Sequence, residues 1–417
     1  MTLTQLLRSP AATPAAKRPR TASLRRGAGA LVMGSDYRGL AVVRSLGRRG
    51  IPVWVVTSDD DVLAAHSRYA TGRVASVGDS EFERCAFVSR LAEEHDLEGW
   101  TLFPTTDDDA ALVGRFHTPL AERFVLTTPP WEILRWAYDK RLTYELAEEI
   151  GLGYPRTWTA ATAKEAASLA LDYPVIVKPA VKEGFNRLTA AKAWRVDDAD
   201  ELYDRFEEAA ELVDPKLLLI QEIVPGGGDE QFSYAALCDA GRPLARVVAR
   251  RTRQYPADFG RASTYVETIE QPEVVAQAEH FLARLGFTGL VEVEFKRDPR
   301  DGELKLLDVN PRVWGWHSLC QRAGVDFPYL AWRHARNEPV PETVAATGVR
   351  WLRLSTDLPV SLKEIAGGRL SARAYARSLR GPRESAIFAR DDPVPGLLEV
   401  PMLAGVLARR LLRGNGV

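Results

Sequence analysis

Two short segments place acids in apolar surroundings. In Val291-Glu292-Val293-Glu294-Phe295-Lys296 the acids alternate with apolar residues, so both carboxylates leave one face of a strand. In Leu304-Lys305-Leu306-Leu307-Asp308-Val309-Asn310 the polar residues Asp308 and Asn310 are also two apart, and alternation puts Leu306 on their face. Acids on an apolar paired strand are costly unless water or a cation meets them. A hard divalent ion resolves that cost, and Mg²⁺ suits such oxygen donors when nucleotide phosphates complete its octahedron. Alternation alone equally describes an exposed hairpin face. Asn310-Pro311-Arg312, with Trp314 and Trp316 close behind, argues against a featureless surface.

Lys178 closes the apolar run Pro174-Val175-Ile176-Val177-Lys178-Pro179, and a lone lysine there would ordinarily snorkel to solvent. Set against an acid cluster and a nucleotide, it can instead neutralise phosphate charge, as can Lys140 from a preceding helix. Gln221-Glu222-Ile223-Val224-Pro225-Gly226 runs from a strand into an extended segment, whose freed backbone groups can pair with an adenine edge. Arg250, Arg251 and Arg253 cluster after an apolar strand, ahead of Phe259-Gly260-Arg261; such a cluster is either solvated surface or an anion clamp.

These residues need elements to hold them. Residues 29 to about 130 read as a doubly wound α/β domain: the strand Ala30–Met33, the turn Gly34–Gly39, a helix over 40–49, then the strand Val53–Val56. Thr101–Pro104 is a further strand, entering a helix capped near Thr105-Thr106. Residues 131–155 are helical. Strands then appear at 175–179, at 217–222, in a hairpin of 232–237 with 244–248, and in the acid hairpin itself; a helix fills 272–285. This mixture predicts an α+β body over 131–340, with a C-terminal extension over 341–417. Residues 1–28 form a basic tail without acids, expected to be disordered. Leu397–Arg413 reads as an amphipathic segment packed on its own domain.

Composition bounds the partners. The chain has 417 residues, 55 Lys+Arg against 56 Asp+Glu and a net charge of −1, which excludes bulk electrostatic capture of nucleic acid. Its apolar stretches fall short of the roughly 20 residues of a spanning helix, so no stable membrane insertion is expected. Cys85, Cys238 and Cys320 are isolated, with no metal pair or disulfide framework, and fit a reducing, cytoplasmic setting.

Taken in order, the motifs resemble the ATP-grasp superfamily, and within it the carboxylate–amine ligases that include D-aspartate ligases. The resemblance covers about residues 30–335 and rests on Y-D-K-R, P-V-I-V-K-P, L-I-Q-E-I-V-P-G-G, V-E-V-E-F-K-R-D and L-L-D-V-N-P-R-V-W-G-W. It implies a Rossmann-like pre-ATP-grasp domain, followed by two subdomains, 131–225 and 226–340, that hold ATP and Mg²⁺ between them. Carried over by position, Lys140 and Lys178 contact ATP phosphates; Gln221, Glu222 and Val224 form the adenine hinge; Glu230 or Gln231 meets the ribose. Glu294, Asp308 and Asn310 would bind magnesium, and Arg312 would sit by an acyl phosphate. Arg251 or Arg253, with Arg312 and with Gly260 for close backbone approach, would clamp the substrate carboxylate. The implied activity is amide formation from a small carboxylic acid and an amine, with release of ADP and phosphate, compatible with a homodimer. One departure stands out: the loop after Lys178-Pro179 holds only Gly184, so Lys182, Asn186 or Lys192 would have to supply donors by side chain.

Other readings are weighed against this one. Gly34, Gly39 and Asp59 suggest an NAD-dependent oxidoreductase, but G-x-x-x-x-G lacks the middle glycine that admits a pyrophosphate. A biotin carboxylase is an alternative within the superfamily, although Met1, Met33 and Met402 give no Met-Lys-Met carrier motif. A non-catalytic nucleotide-binding module has no need of so many acids on one face.

Overall fold

The computed structural model describes residues 28–58, 62–181, 186–255, 262–381, 383–399 and 401–402. The basic tail before residue 28, Asp59, Lys182, Gly184, Gly260, Arg261 and Leu403–Arg413 therefore lie outside the described residues. Among the described residues no helix is long and apolar enough to cross a membrane. The chain divides into two compact units: residues up to Trp131 with Pro328–Val340 and the segment from Ile387, and Glu132–Phe327 with Pro341–Ala386.

The first unit is built on a parallel sheet of order β3-β2-β1-β4-β5, with β1 Ala30–Met33, β2 Val53–Thr57, β3 Gly72–Ala75, β4 Thr101–Pro104 and β5 Val125–Leu126. Burial on both faces matches its central apolar runs. Between β1 and β2 runs α1, Tyr37–Gly47, and its first turn answers the dinucleotide reading. The Asp36 carboxylate accepts from Arg38 N at 2.8 Å and Gly39 N at 3.2 Å, taking amides a pyrophosphate would need. Gly39 has a packing reason instead, since a Cβ there would stand 2.2 Å from the Gly34 carbonyl oxygen. Buried Arg44 draws the segment from Ile387 into this unit, bonding Asp392 Oδ2 at 2.9 Å and the Ile387 carbonyl at 2.6 Å.

The second unit has two sheets. Its four-stranded antiparallel sheet runs β6-β9-β7-β8, with β6 Thr157–Trp158, β7 Val175–Pro179, β8 Trp194–Val196 and β9 Leu218–Glu222. Its seven-stranded sheet runs β14-β13-β10-β11-β12-β15-β16. These strands are β10 Gln231–Asp239, β11 Arg242–Tyr255, β12 Ala262–Thr268, β13 Gly289–Arg297, β14 Leu304–Asn310, β15 Arg350–Leu352 and β16 Arg383–Ser385. Helix α2, Lys140–Glu149, precedes the first sheet. Helix α3, Pro272–Leu285, packs Val274, Ala278 and Phe281 on Phe232, Val293 and Phe295 of the second.

Two features depart from the expected layout. Residues 341–386, read as part of a C-terminal extension, join the second unit: β15 pairs antiparallel with β12, and β16 pairs parallel with β15. Helices α4, Leu354–Ala366, and α5, Ala372–Ser378, lie between those strands. Leu306 does not share the face of Asp308. The β13–β14 register shifts so that Glu294 pairs with Asp308 but Phe295 with Leu306, making Leu307 the extra residue of a bulge. Leu306 thus enters the apolar core, and Leu307 takes the acids' side.

Candidate functional site

The acid hairpin forms one wall of a cleft. Glu292 stands opposite Asn310, and Glu294 opposite Asp308. All four side chains are buried. Asn310 Nδ2 donates to Glu292 Oε2 at 3.1 Å and to Glu294 Oε1 at 3.0 Å, while its Oδ1 accepts from Arg312 Nη2 at 3.1 Å. Trp316 Nε1 donates to Glu292 Oε1 at 2.7 Å. Burial, then the neighbouring Glu294 carboxylate, push Glu292 up to about 7.

Each remaining carboxylate meets a buried cation. Lys140, the first residue of α2, reaches Asp308 Oδ1 at 2.7 Å, and Asp139 fixes that helix start by accepting from Arg141 N. Arg251 donates through Nη1 to Glu294 Oε2 and through Nε to Ser263 Oγ at 2.7 Å. Gln231 Nε2 donates to the same Glu294 oxygen at 3.3 Å.

The four-stranded sheet supplies the other wall. Lys178 and Ile176 lie two apart on β7, and Ile176 pairs with Gln221 on β9, so Lys178 and Gln221 share a face. Lys178 Nζ donates to Gln221 Oε1 at 2.7 Å and to Tyr144 Oη at 3.1 Å. Tyr144 donates to the Leu307 carbonyl at 3.0 Å, and Gln221 Nε2 donates to Thr157 Oγ1 at 2.7 Å. Lys178 is therefore held in the cleft rather than snorkelling outward. Its burial is stabilised by charge-assisted hydrogen bonds, although a lysine end left dry would be costly.

The expected adenine hinge follows β9. The buried Glu222 carboxylate accepts from Arg156 N at 2.9 Å, Arg156 Nε at 3.1 Å and Arg300 Nη2 at 3.1 Å. Its side chain is thus committed to these arginines. Beyond it, Lys296 Nζ donates to the carbonyls of Val224 and Gly226, each at 2.8 Å, and burial lowers its pKa. Glu230 lies beside Gly226, at the end of the turn Gly228–Glu230. That turn sits hard against β11: a Cβ on Gly228 would stand 2.6 Å from the carbonyl oxygens of Arg251 and Thr252.

The cleft is lined by Lys140, Lys178, Lys192 and Lys296 around the apolar Ile176, Val224 and Leu307. Apolar walls with a few convergent charged groups are the lining of a small-molecule site. Lys192 reaches it with φ +72°, a conformation that costs a side-chain-bearing residue on the order of 1 kcal/mol or more. Among the described residues no three His, Cys, Asp or Glu side chains converge as a metal cage. Two carboxylates and an amide oxygen fit magnesium shared with nucleotide phosphates, which needs few protein ligands.

The structure gathers Lys140, Lys178, Gln221, Val224, Gln231, Arg251, Glu294, Asp308, Asn310 and Arg312 into this cleft or its walls. Arg253 is not with them. It is bound by Asp357 at 2.8 and 2.9 Å and by Ser378 at 3.0 Å, with Tyr265 beneath its guanidinium. Sequence reasoning does not single out Tyr144, Thr157 or Lys296. Alternation offers a signal for one of them: Lys296 follows Glu292 and Glu294 at the same spacing.

Residues 215–355 match a family described as "ATP-grasp in the biosynthetic pathway with Ter operon". A D-aspartate ligase of Enterococcus faecium is 23% identical over 307 residues, 68% of this chain and 70% of that protein. The C-terminal section of a Methanopyrus kandleri carbamoyl phosphate synthase large chain is 26% identical over 241 residues, 55% of this chain. This match spans 43% of that section, less than half its length. Among solved structures, an L-amino acid ligase from Bacillus licheniformis superposes with a TM-score of 0.58 at 16% identity, covering 77% of this chain and 76% of its own. The dimeric biotin carboxylase domain of Hydrogenobacter thermophilus 2-oxoglutarate carboxylase, holding MgADP and bicarbonate, gives 0.61 at 15% identity, over 78% and 74% of the chains.

Proposed function

We propose that this chain, an ATP-grasp protein, is an ADP-forming ligase that joins a small carboxylic acid to a small amine. The observation that carries the reading is the meeting of Glu294, Asp308 and Asn310 with Lys140, Lys178 and Arg251 in and around a single cleft. The D-aspartate ligase and L-amino acid ligase likenesses support it.

In the proposed reaction an oxygen of the substrate carboxylate attacks the γ-phosphorus of ATP. The bond from that phosphorus to the bridging oxygen breaks, and ADP leaves with the electron pair. The amine nitrogen then attacks the acyl carbon and phosphate departs, leaving an amide once the nitrogen has lost a proton. Such phosphoryl transfer depends mainly on positioning and charge neutralisation. Lys178, oriented by Gln221 and Tyr144, places a fixed positive charge where phosphates would lie; Lys140 adds a second. Lys192 and Asn186 are the described candidates for covering those phosphates in a glycine-poor loop. The backbone from Glu222 through Val224 would face adenine, with Lys296 holding that segment in shape. Glu230 or Gln231 would meet the ribose. Magnesium, held by Glu294, Asp308 and Asn310, would supply charge neutralisation across the transferred phosphoryl group. Arg251 and Arg312 are placed for the acid and its acyl phosphate, because each borders the acid row and a guanidinium suits either oxyanion.

The test is ADP release by the purified chain with ATP and Mg²⁺, screened over pairs of amino acids and small peptides. The reading expects release that requires both an acid and an amine. Release that instead requires bicarbonate and biotin would assign the cleft to the carboxylating alternative.

A further inference from the structure

Strand β11 carries Arg250, Arg251 and Arg253. Plain alternation would put Arg251 and Arg253 on one face and Arg250 on the other. The β11–β12 register shifts between Arg250 and Arg253, however, and this bulge redistributes them. Arg250 stands opposite Phe232 on β10 and Glu267 on β12, and Arg253 stands opposite Tyr265. Directly paired residues share a face, and Phe232 in turn pairs with the core residue Phe295. Arg250 and Arg253 thus occupy the face that points away from Glu294, while Arg251 alone reaches the acids.

On this reverse face Glu267 lies in a row between Arg250 and Arg350, across three strands. Helix α5 approaches through Ser378, which accepts from Arg253 and whose carbonyl accepts from Tyr265 Oη at 3.0 Å. Between the strands and α5 remains an open cleft with a volume of about 320 Å³. Its cations outnumber their counter-charges. Glu267 serves two arginines, at 3.7 Å from Arg250 and 3.2 Å from Arg350, and Asp357 is taken up by Arg253. Asp229 lines the cleft as well, so three acids face Arg250, Arg253, Arg350 and Arg377. Exposed Arg377 has no side-chain partner among the described residues. Arg250 and Thr252 on the lining each carry a buried polar atom, Nε and Oγ1, without a hydrogen-bond partner among the described residues. An oxyanion accepts from several guanidinium and hydroxyl groups at once.

We infer that this reverse-face cleft binds a small phosphoryl-bearing anion, through Arg250, Thr252 and Arg377 with Arg350 behind them. A tetrahedral oxyanion offers enough acceptors for converging guanidinium and hydroxyl donors, and the volume admits a phosphate ester as well as free phosphate. The site is separate from the nucleotide cleft and does not depend on the ligase reading.

The experiment is calorimetric titration of the full chain at low ionic strength, first with orthophosphate and then with phenyl phosphate. Saturable binding is expected, weakened about 10-fold by Arg377→Ala, as for loss of one charge-assisted hydrogen bond. It should be lost in Arg250→Gln/Arg377→Glu and retained in Lys178→Met. Unchanged thermal midpoints would establish that these variants are folded. Tighter binding of phenyl phosphate would assign the site to phosphate esters, and equal binding to the free anion; both outcomes uphold it. No saturable binding to the unaltered chain, or undiminished binding to Arg250→Gln/Arg377→Glu, would overturn it.

Discussion

The two faces of the seven-stranded sheet handle arginine differently. On the acid face Arg251 is buried and held by Glu294 and Ser263, so an anion there competes with those partners. On the reverse face Arg250 and Arg350 are half-exposed and share one glutamate, so an anion could join them without displacing anything. Buried charge must arrive paired, whereas half-exposed charge can wait in water. In the proposed reaction the acid face would exchange ion pairs for substrate. The reverse face is a place for addition. One bulge in β11 divides the arginines between these tasks.

The largest expected effect lies on the lysine wall that faces the acids. Lys178→Met removes a held charge and leaves the apolar stem, so ADP release should fall at least ~10²-fold in a folded protein. Near-normal turnover would take Lys178 out of the chemistry. Asp308→Asn should lower activity by on the order of 10-fold or more and raise the magnesium concentration needed, since a hard anionic ligand is lost. An unchanged magnesium titration would make the acid face a structural network only.

These two residues were legible in the sequence for a physical reason: a charged side chain among apolar strand residues is conspicuous. Bulges are not. Leu306 was expected beside Asp308, and Arg253 as an alternative to Arg251 in the clamp, because nothing in residue type marks the extra residue at Leu307 or the register shift after Arg250. Residues 341–386 escaped assignment to the sheet for another reason. Strands of three residues, β15 and β16, show no periodicity of their own and are recognisable only through their partners. The commitment of the Glu222 carboxylate to Arg156 and Arg300 depends on contacts 66 and 78 residues away in sequence. The three central strands of the first unit's parallel sheet, β2, β1 and β4, with their apolar runs, were plain by comparison.

A paired substitution sharpens the division of β11. Arg251→Lys keeps the charge but loses the fork, and should raise the KM for the acid without changing that for ATP. Arg253→Lys should leave both constants alone and lower stability by on the order of 1–2 kcal/mol, read as a lower thermal midpoint, through its weakened grip on fully buried Asp357. A shared effect on the acid would mean that the two faces are not separate.

The smallest effect is a matter of pH. Glu292 is raised in the folded chain to about 7 and returns to the ordinary carboxylate range when unfolded. Between those values the unfolded chain holds fewer protons, so stability falls as pH rises and levels off above about 7. Glu292→Gln should flatten this dependence, narrowing the gap between thermal midpoints measured at mildly acidic and mildly alkaline pH. An unaltered gap would show that the carboxyl does not titrate in this range.

Activation of the carboxylate by phosphorylation is read directly by isotope transfer. With the active acid labelled by ¹⁸O in its carboxylate, each turnover through an acyl phosphate must move one labelled oxygen to the released phosphate. Mass spectrometry of that phosphate is expected to find the label in step with amide formed. Amide formation that releases only unlabelled phosphate would contradict the account.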